Sequence, residues 1–168
     1  MIHLTETKEI GAPPEAVFTA INNYGRRLEW DTLLRHAEIL SADGRHLPLD
    51  TPLEPGMTVR SYARWQSGGV VMDTEYTRCQ FPEAEIQMTQ GPWFFQSFRA
   101  IATLEEAPGG GTLWRGQYTF SCRPQALRWI VEPIVSWFFR RETRMRADGM
   151  KKWLEQKVGL KDEIPTQT

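Results

Sequence analysis

The stretch QALRWIVEPIVSWFFRRETRMRADGMKKWLEQK, residues 125–157, decides the fold of this 168-residue chain. Its apolar residues recur at helical spacing and predict one amphipathic α-helix, roughly 50 Å long, from Pro124 to about Lys157. Pro133 lies inside this stretch and predicts a kink. One side of the predicted helix carries Leu127, Val131, Ile134, Phe138, Arg141, Met145, Gly149 and Lys152. The first two-thirds of that side is broadly apolar, which favours a β-sheet as its partner.

The residues before the helix alternate as β-strands do and are separated by turn signals. They predict strands at 2–10, 33–40, 57–65, 70–79, 84–89, 93–104 and 112–122, with two short helices after the first strand. Segment 41–55 is predicted to be a loop, and the pattern leaves open whether it is a flap or disordered. The chain is therefore predicted to be α+β: a curved antiparallel sheet of about seven strands wraps around the C-terminal helix. Residues 1–158 are predicted to form one domain, with a polar tail over 159–168.

Composition narrows the range of functions. The net charge of -1 and the interspersed charges argue against a nucleic-acid partner. The N-terminus does not look like a signal peptide, and no apolar run approaches the length of a membrane span, so a cytoplasmic protein without an integral membrane segment is expected. Cys79 and Cys122 are interpreted as reduced, small apolar residues. The spacing of His3, His36 and His46 matches no metal site, so neither a metal nor a cofactor is predicted.

The first hairpin signal is the turn 66–69. Closing it at Ser67-Gly68 pairs Arg60 with Glu75 and Tyr62 with Asp73. These pairs predict that the face of the sheet that carries them is exposed to solvent. The opposite face should point toward the long helix. Asp73 and Glu75 lie two residues apart on one strand, so they are either a general acid/base pair or solvent-side partners of Arg60 and Tyr62.

The last hairpin turn, 107–111, returns the chain from strand 93–104 to strand 112–122. The pairing predicted here places Arg99 near Tyr118 on the concave face, and the covering helix adds Arg141 to the same interior. Such arginines either contact a ligand carboxylate or carbonyl, or they reach the cavity mouth and pair with carboxylates. The candidate ligand-binding residues are Trp65, Met72, Trp93, Phe95, Arg99, Trp114, Tyr118, Phe120, Phe138, Arg141 and Met145.

Three segments carry a resemblance to a known superfamily: IGAPPEAVF at 10–18, LEWD at 28–31 and YTF at 118–120, which runs on to Pro124 and the long helix. With this order of elements, residues 2–157 resemble the SRPBCC superfamily, also called START-like or Bet v 1-like, in its polyketide cyclase/dehydrase-like branch. The resemblance implies a helix-grip fold with a cavity for lipids, hormones, polyketides or other apolar molecules. The superfamily shares no common catalytic residue set, so none is transferred to this chain.

Three hypotheses for the function follow. The first is a protein that binds a hydrophobic or aromatic small molecule or a lipid between the sheet and the helix. The second is a cyclase or dehydratase on the same scaffold, which polarises a carbonyl and stabilises an enolate. The third is an interaction module with a filled cavity. The volume and charge of the interior distinguish these hypotheses, whereas the ligand and the oligomeric state are not predicted.

Overall fold

A computed structural model describes the backbone of residues 1–162 and the side chains of residues 1–126 and 129–158. The strands are β1 (Ile2–Ile10), β2 (Leu34–Leu40), β3 (His46–Leu47), β4 (Thr58–Ala63), β5 (Val71–Gln80), β6 (Glu83–Gln90), β7 (Phe95–Glu106) and β8 (Thr112–Cys122). The helices are α1 (Pro14–Asn22), α2 (Tyr24–Trp30) and α3 (Arg128–Asp162). In this part of the chain the strands form one antiparallel sheet in the order β1-β8-β7-β6-β5-β4-β2-β3.

The predicted helix-grip fold is confirmed: a curved antiparallel sheet, two short helices after β1 and a long C-terminal helix. The sheet has one strand more than predicted, because β3 lies within the segment 41–55 that was predicted to be a loop. β3 pairs only Ile39 with Leu47 and Leu40 with His46, which is too short for an alternation signal. Leu53 is buried in the same segment, so the segment packs onto the core.

The two short helices follow their sequence signals. Pro14 opens α1 and Glu15 lies in its first turn, as the Pro-Pro-Glu sequence predicts. The side chain of Asn23 caps α2 by accepting a hydrogen bond from the Arg26 backbone N–H at 2.9 Å. The Trp30 indole N–H, at the end of α2, donates to the Ala20 carbonyl at 3.0 Å and ties the two helices together.

Helix α3 follows a 3₁₀ turn, Gln125–Leu127, and continues to Asp162. It therefore extends past residue 159, where the polar tail was predicted to begin, and residues 163–168 of that tail lie outside the described residues. The predicted packing face is wrong by about one residue. Val131, Val135 and Phe139 pack against the sheet, whereas Ile134 is exposed.

Both predicted hairpin registers are also wrong. At the first hairpin, Arg60 lies opposite Asp73 instead of Glu75, because the 3₁₀ turn Trp65–Ser67 and two glycines lengthen the connection. This shift of two residues keeps each side chain on its predicted face. At the second hairpin, Ala100 lies opposite Tyr118, where Arg99 was predicted. This shift of one residue moves the side chains of β7 from Phe98 onward to the other face. Phe95 stays inside as predicted, because the register shifts again between Phe95 and Ser97.

Among the residues whose side chains are described, three hydrophobic clusters fill the interior. One joins α1, α2 and the C-terminal half of α3 to β1 and β8 through residues that include Val17, Trp30 and Met150. A second lies under β2, β4 and β5 and includes Tyr24 and Tyr76. The third is an aromatic cluster on β7 and β8, with the first half of α3 packed onto it. The candidate site lies where these clusters meet.

Candidate functional site

A cavity of about 100 Å³ lies between the concave face of the sheet and the three helices. β6, β7 and β8 form its floor, and α1, α2 and α3 form its cover. The lining side chains are mostly apolar, with a few polar groups: Ile21, Asn22, Arg27, Trp30, Tyr76, Ala84, Ile86, Ala100, Ala102, Trp114, Tyr118, Thr143, Arg146, Ala147 and Met150.

The cavity exists because the floor is built from small residues. Ala84 on β6 lies opposite Ala102 on β7, which lies opposite Gly116 on β8. These three positions form a row across the sheet in which larger side chains would reach toward the helices. Gly116 has no room for a side chain, because an added Cβ would lie 2.6 Å from the Trp114 ring and 2.8 Å from the Tyr118 hydroxyl. The rings of Trp114 and Tyr118 therefore lie over Gly116.

A charged network forms the wall that α2 and α3 share. The Asp31 carboxylate is fully buried and lies 3.3 Å from Arg27 Nε and 3.4 Å from Arg146 Nε. Burial alone would raise the pKa of Asp31, but Arg146 and Arg27 outweigh this effect and lower it. Arg27 Nη1 also donates to the Tyr24 hydroxyl at 3.2 Å. Asp31 thus holds two guanidinium groups beside an otherwise apolar cavity.

One hydrogen-bond donor that lines the cavity, the indole N–H of Trp114 on β8, has no acceptor within the described residues. This atom is buried, whereas the Nε of Arg146 lies 3.4 Å from the Asp31 carboxylate and is ion-paired with it. An unpaired buried donor carries the full cost of its desolvation. The arrangement is therefore suited to a ligand that brings an oxygen acceptor into the cavity.

Tyrosines and a second carboxyl group complete the polar part of the site. Burial raises the pKa of Tyr118 to about 12, although Arg146 and Arg27 act in the opposite direction. The Tyr76 hydroxyl donates to Asn22 Oδ1 at 3.3 Å. Burial also raises the pKa of Glu142, which the Ser67 hydroxyl and Arg146 partly oppose. Glu142 is thus a half-buried carboxyl group next to the charged wall.

Five of the eleven predicted ligand-binding residues lie in the interior. Trp114 and Tyr118 line the cavity itself. Met72, Phe95 and Phe120 belong to the adjoining aromatic cluster, where the Phe95 and Phe120 rings lie 5.6 Å apart. These three residues therefore support the cavity from one side. A ligand-binding role for any of the five stays a prediction.

The other six do not line the cavity. Trp65, which is 90% exposed, and Trp93 lie on hairpin turns at the surface. On α3, Arg141 and Met145 are exposed and Phe138 is half-buried beside the inward Phe139, because the helix is rotated from the predicted phase. The inward position predicted for Arg99 is also wrong.

Arg99 lies on the outer face of the sheet because of the register of β7. Its Nε donates to Glu85 Oε1 at 2.7 Å, and its side chain is half exposed. The predicted site that joined Arg99 to Tyr118 is therefore not formed. Asp73 accepts two hydrogen bonds of 2.8 Å from Arg60. This contact matches the interpretation of Asp73 as a partner of Arg60, not the one as a general acid or base.

The family model described as "Polyketide cyclase / dehydrase and lipid transport" matches residues 1–155. The chain belongs to this family. Its resemblance to the SRPBCC superfamily is thereby confirmed. Among curated proteins, none matches the chain.

Solved structures show that the family fold extends over nearly the whole chain. A START superfamily protein from Mycobacterium smegmatis superposes with a TM-score of 0.72 at 15% identity, covering 92% of this chain and 97% of that one. The Zhui aromatase/cyclase from a Streptomyces species superposes with a TM-score of 0.70 at 13% identity, covering 94% of this chain and 95% of that one. At such identities the similarity establishes the shared fold and nothing further about the site.

The sequence did not indicate the charged network beside the cavity. Arg27, Asp31 and Arg146 come from two helices that are distant in the chain, and each alone looks like an exposed helical residue. Within the described residues, no group of three or more His, Cys, Asp or Glu side chains has the arrangement of a metal site. No helix in that part of the chain is long and apolar enough to cross a bilayer.

Proposed function

We propose that this protein binds a small, mostly apolar molecule that carries an oxygen acceptor, in the cavity between β6–β8 and α3. The observation that supports this proposal most strongly is the Trp114 indole N–H, which is buried at the cavity without an acceptor in the described part of the chain. A carbonyl, hydroxyl or carboxylate oxygen of the ligand would accept from it. The guanidinium of Arg146, which is paired with Asp31, adds positive charge to the lining of the same cavity.

The cavity volume limits what the interior holds. Its size of about 100 Å³ is below the roughly 150 Å³ that accommodates benzene in an engineered cavity. It is further below the roughly 300–1,000 Å³ of typical ligand pockets. The interior as it stands therefore holds a group smaller than a benzene ring. We propose that a single-ring ligand binds by widening this space, and that a lipid or a multi-ring molecule requires a larger widening. A cytoplasmic location stays a prediction.

The test compares two probes of matched shape, acetophenone and ethylbenzene, of which only acetophenone has an oxygen acceptor. Titration of the ¹⁵N-labelled full chain is followed through the indole N–H resonance of Trp114. We expect acetophenone to bind at least about tenfold more tightly than ethylbenzene and to shift this resonance downfield.

Two variants control this experiment. Trp114→Phe keeps an aromatic ring without the N–H and should remove the preference for acetophenone, which is then followed through the indole N–H resonance of Trp30, another cavity residue. Trp137→Phe changes an exposed tryptophan and should leave both affinities unchanged. Equal affinities in the natural protein would contradict the acceptor-specific site, and binding of neither probe would favour an interior filled by its own side chains.

A second candidate function is proton transfer on a carbonyl substrate, as in a cyclase or dehydratase. The observation that favours it is the half-buried carboxyl group of Glu142, which lies one helical turn before the cavity-lining Arg146 and does not line the cavity as it stands. Burial raises the pKa of Glu142, and a carboxylate of higher pKa is a stronger general base. Glu142 would take the proton from the carbon next to the carbonyl. The resulting enolate oxygen would accept hydrogen bonds from Trp114 and Arg146.

This candidate predicts exchange of the methyl protons of acetophenone in D₂O, because a deuteron carried by Glu142 returns to the carbon. The loss of the methyl proton signal measures the rate. Glu142→Gln should reduce it by about 10²-fold or more, whereas Glu9→Gln, on the exposed side of β1, should not. If acetophenone binds but its methyl protons exchange no faster than in buffer, the catalytic function is contradicted and the binding function remains.

A further inference from the structure

The first three turns of α3 are apolar on two opposite sides. The inner side, Val131, Val135 and Phe139, packs onto the aromatic cluster of the sheet. The outer side carries Ile130, Ile134 and Trp137 at spacings of four and three residues, which places them on one stripe. Ile134 is 62% exposed and Trp137 is 68% exposed. A helix that is apolar all round normally has both sides covered.

Two further tryptophans outside this stripe are also exposed. Trp129, at the start of α3, is 76% exposed, and Trp93, in the turn between β6 and β7, is 77% exposed. The backbone N–H of Arg123, before α3, donates to the Phe94 carbonyl, so the turn that carries Trp93 lies near the N-terminal end of α3. The outer apolar face is defined here as Ile130, Ile134 and Trp137.

The exposed charges next to this face are positive. Arg123 precedes α3 and is exposed, and Arg140, Arg141 and Arg144 follow the apolar turns and are exposed as well. The nearby carboxylates are less accessible: the Glu132 side chain is 19% exposed and lies 4.0 Å from the N-terminal amine. Glu6 is mostly covered and lies 3.3 Å from Arg144. A partner with negative charge around an apolar interior matches this arrangement.

A second copy of this chain fits the arrangement poorly. Antiparallel packing of two α3 helices about Ile134 would bring Arg144 of one copy near Arg123 of the other. Parallel packing would bring each arginine near its own counterpart. Both arrangements oppose like charges across the contact.

We propose that the outer apolar face docks on the surface of an anionic phospholipid bilayer. Tryptophan is enriched where bilayer and water meet, because its ring is apolar and its N–H is polar. Arginines beside an amphipathic helix attract anionic headgroups. In this geometry α3 lies in the plane of the surface, with Trp137 and Ile134 in the headgroup region and the arginines against the phosphates. This inference does not depend on the proposed cavity ligand.

The test measures binding of the full chain to phosphatidylcholine vesicles with and without phosphatidylserine, by co-sedimentation. We expect phosphatidylserine to increase the partition coefficient at least about tenfold, and high salt to reverse the increase. A double variant, Ile134→Ser with Trp137→Ser, should lower binding at least about tenfold. Trp65→Ser removes an exposed tryptophan outside the outer apolar face and should have little effect.

Circular dichroism of each variant verifies that it is folded, and the changed residues are exposed, so the fold should be retained. Equal sedimentation of the natural protein and the double variant would overturn the proposal. A natural protein that is dimeric in solution and becomes monomeric in the double variant would also overturn it, because the occupant of the face would then be a second copy.

Discussion

Gly116 allows two side chains that line the cavity, Trp114 and Tyr118, to lie close to β8. It lies between Trp114 and Tyr118 on the inward side of β8, and the absence of a side chain lets both rings lie over the strand. Its neighbours across the sheet are also small, with Ala102 opposite on β7. Small side chains at these positions therefore leave room between the sheet and the helices.

Replacing Gly116 by alanine should fill this space and strain the two rings. The new Cβ would lie 2.6 and 2.7 Å from Trp114 ring atoms, closer than real Cβ contacts. We expect the free energy of unfolding in urea to fall by about 1–3 kcal/mol, as for other overpacked cores. Gly109→Ala is the matched control, since nothing lies within 4 Å of its Cβ. Equal stability of both variants would contradict the tight packing at Gly116.

The sequence predicted the residues of β8 better than any other part of the site. Trp114 and Tyr118 were placed inside correctly because alternation along one strand is enough to separate its two faces. Ala100 and Ala102 were missed because their side depends on the hairpin register. The turn at 107–111 was predicted correctly, but β7 continues past the predicted end at 104 to Glu106, which pairs with Thr112. A shift of one residue then exchanges Arg99 for Ala100.

Helix α3 shows the same limit at the scale of an element. Its length and its role were predicted from periodicity, but its rotation was not, because its first turns are apolar on both sides. Val131, Val135 and Phe139 pack against the sheet, although Ile134 and Phe138 are equally hydrophobic and could form an alternative packing face. The sequence distinguishes the packed side of the helix only further along, where Met150 and Leu154 are buried.

The pair Phe138 and Phe139 tests this rotation directly. The Phe139 ring lies 5.1 to 5.5 Å from the rings of Tyr118, Phe98 and Phe120. Phe139→Ala should therefore lower the free energy of unfolding by about 3–5 kcal/mol. Phe138→Ala, one residue along the same helix, should cost less than half as much. The reverse order in thermal or urea unfolding would show that the predicted face, not the observed one, packs on the sheet.

At the scale of the whole molecule, two packed regions share one charged contact. Tyr24 belongs to the cluster under β2, β4 and β5, whereas Trp30 belongs to the cluster under α3. Arg27 lies between them on α2, and through Asp31 it is linked to Arg146 of α3. The network that lines the cavity therefore also fixes α3 relative to the opposite half of the sheet.

This link predicts how stability depends on pH. The pKa of Asp31 is lowered in the folded protein, so its contribution is fully present above the unfolded pKa of about 3.9. It is lost as the pH falls through the lower folded pKa.

Asp31→Asn leaves Arg27 and Arg146 beside a neutral amide, and this substitution should lower the free energy of unfolding by about 3–5 kcal/mol near neutral pH. Urea unfolding across the acid range should show this difference shrinking as the natural protein becomes protonated. Asp148→Asn, which removes an exposed carboxylate bound to Lys8, is the control and should have a small effect. If the Asp31→Asn difference were absent near neutral pH, or constant down to the lowest pH, the charged contact would not hold the two regions together.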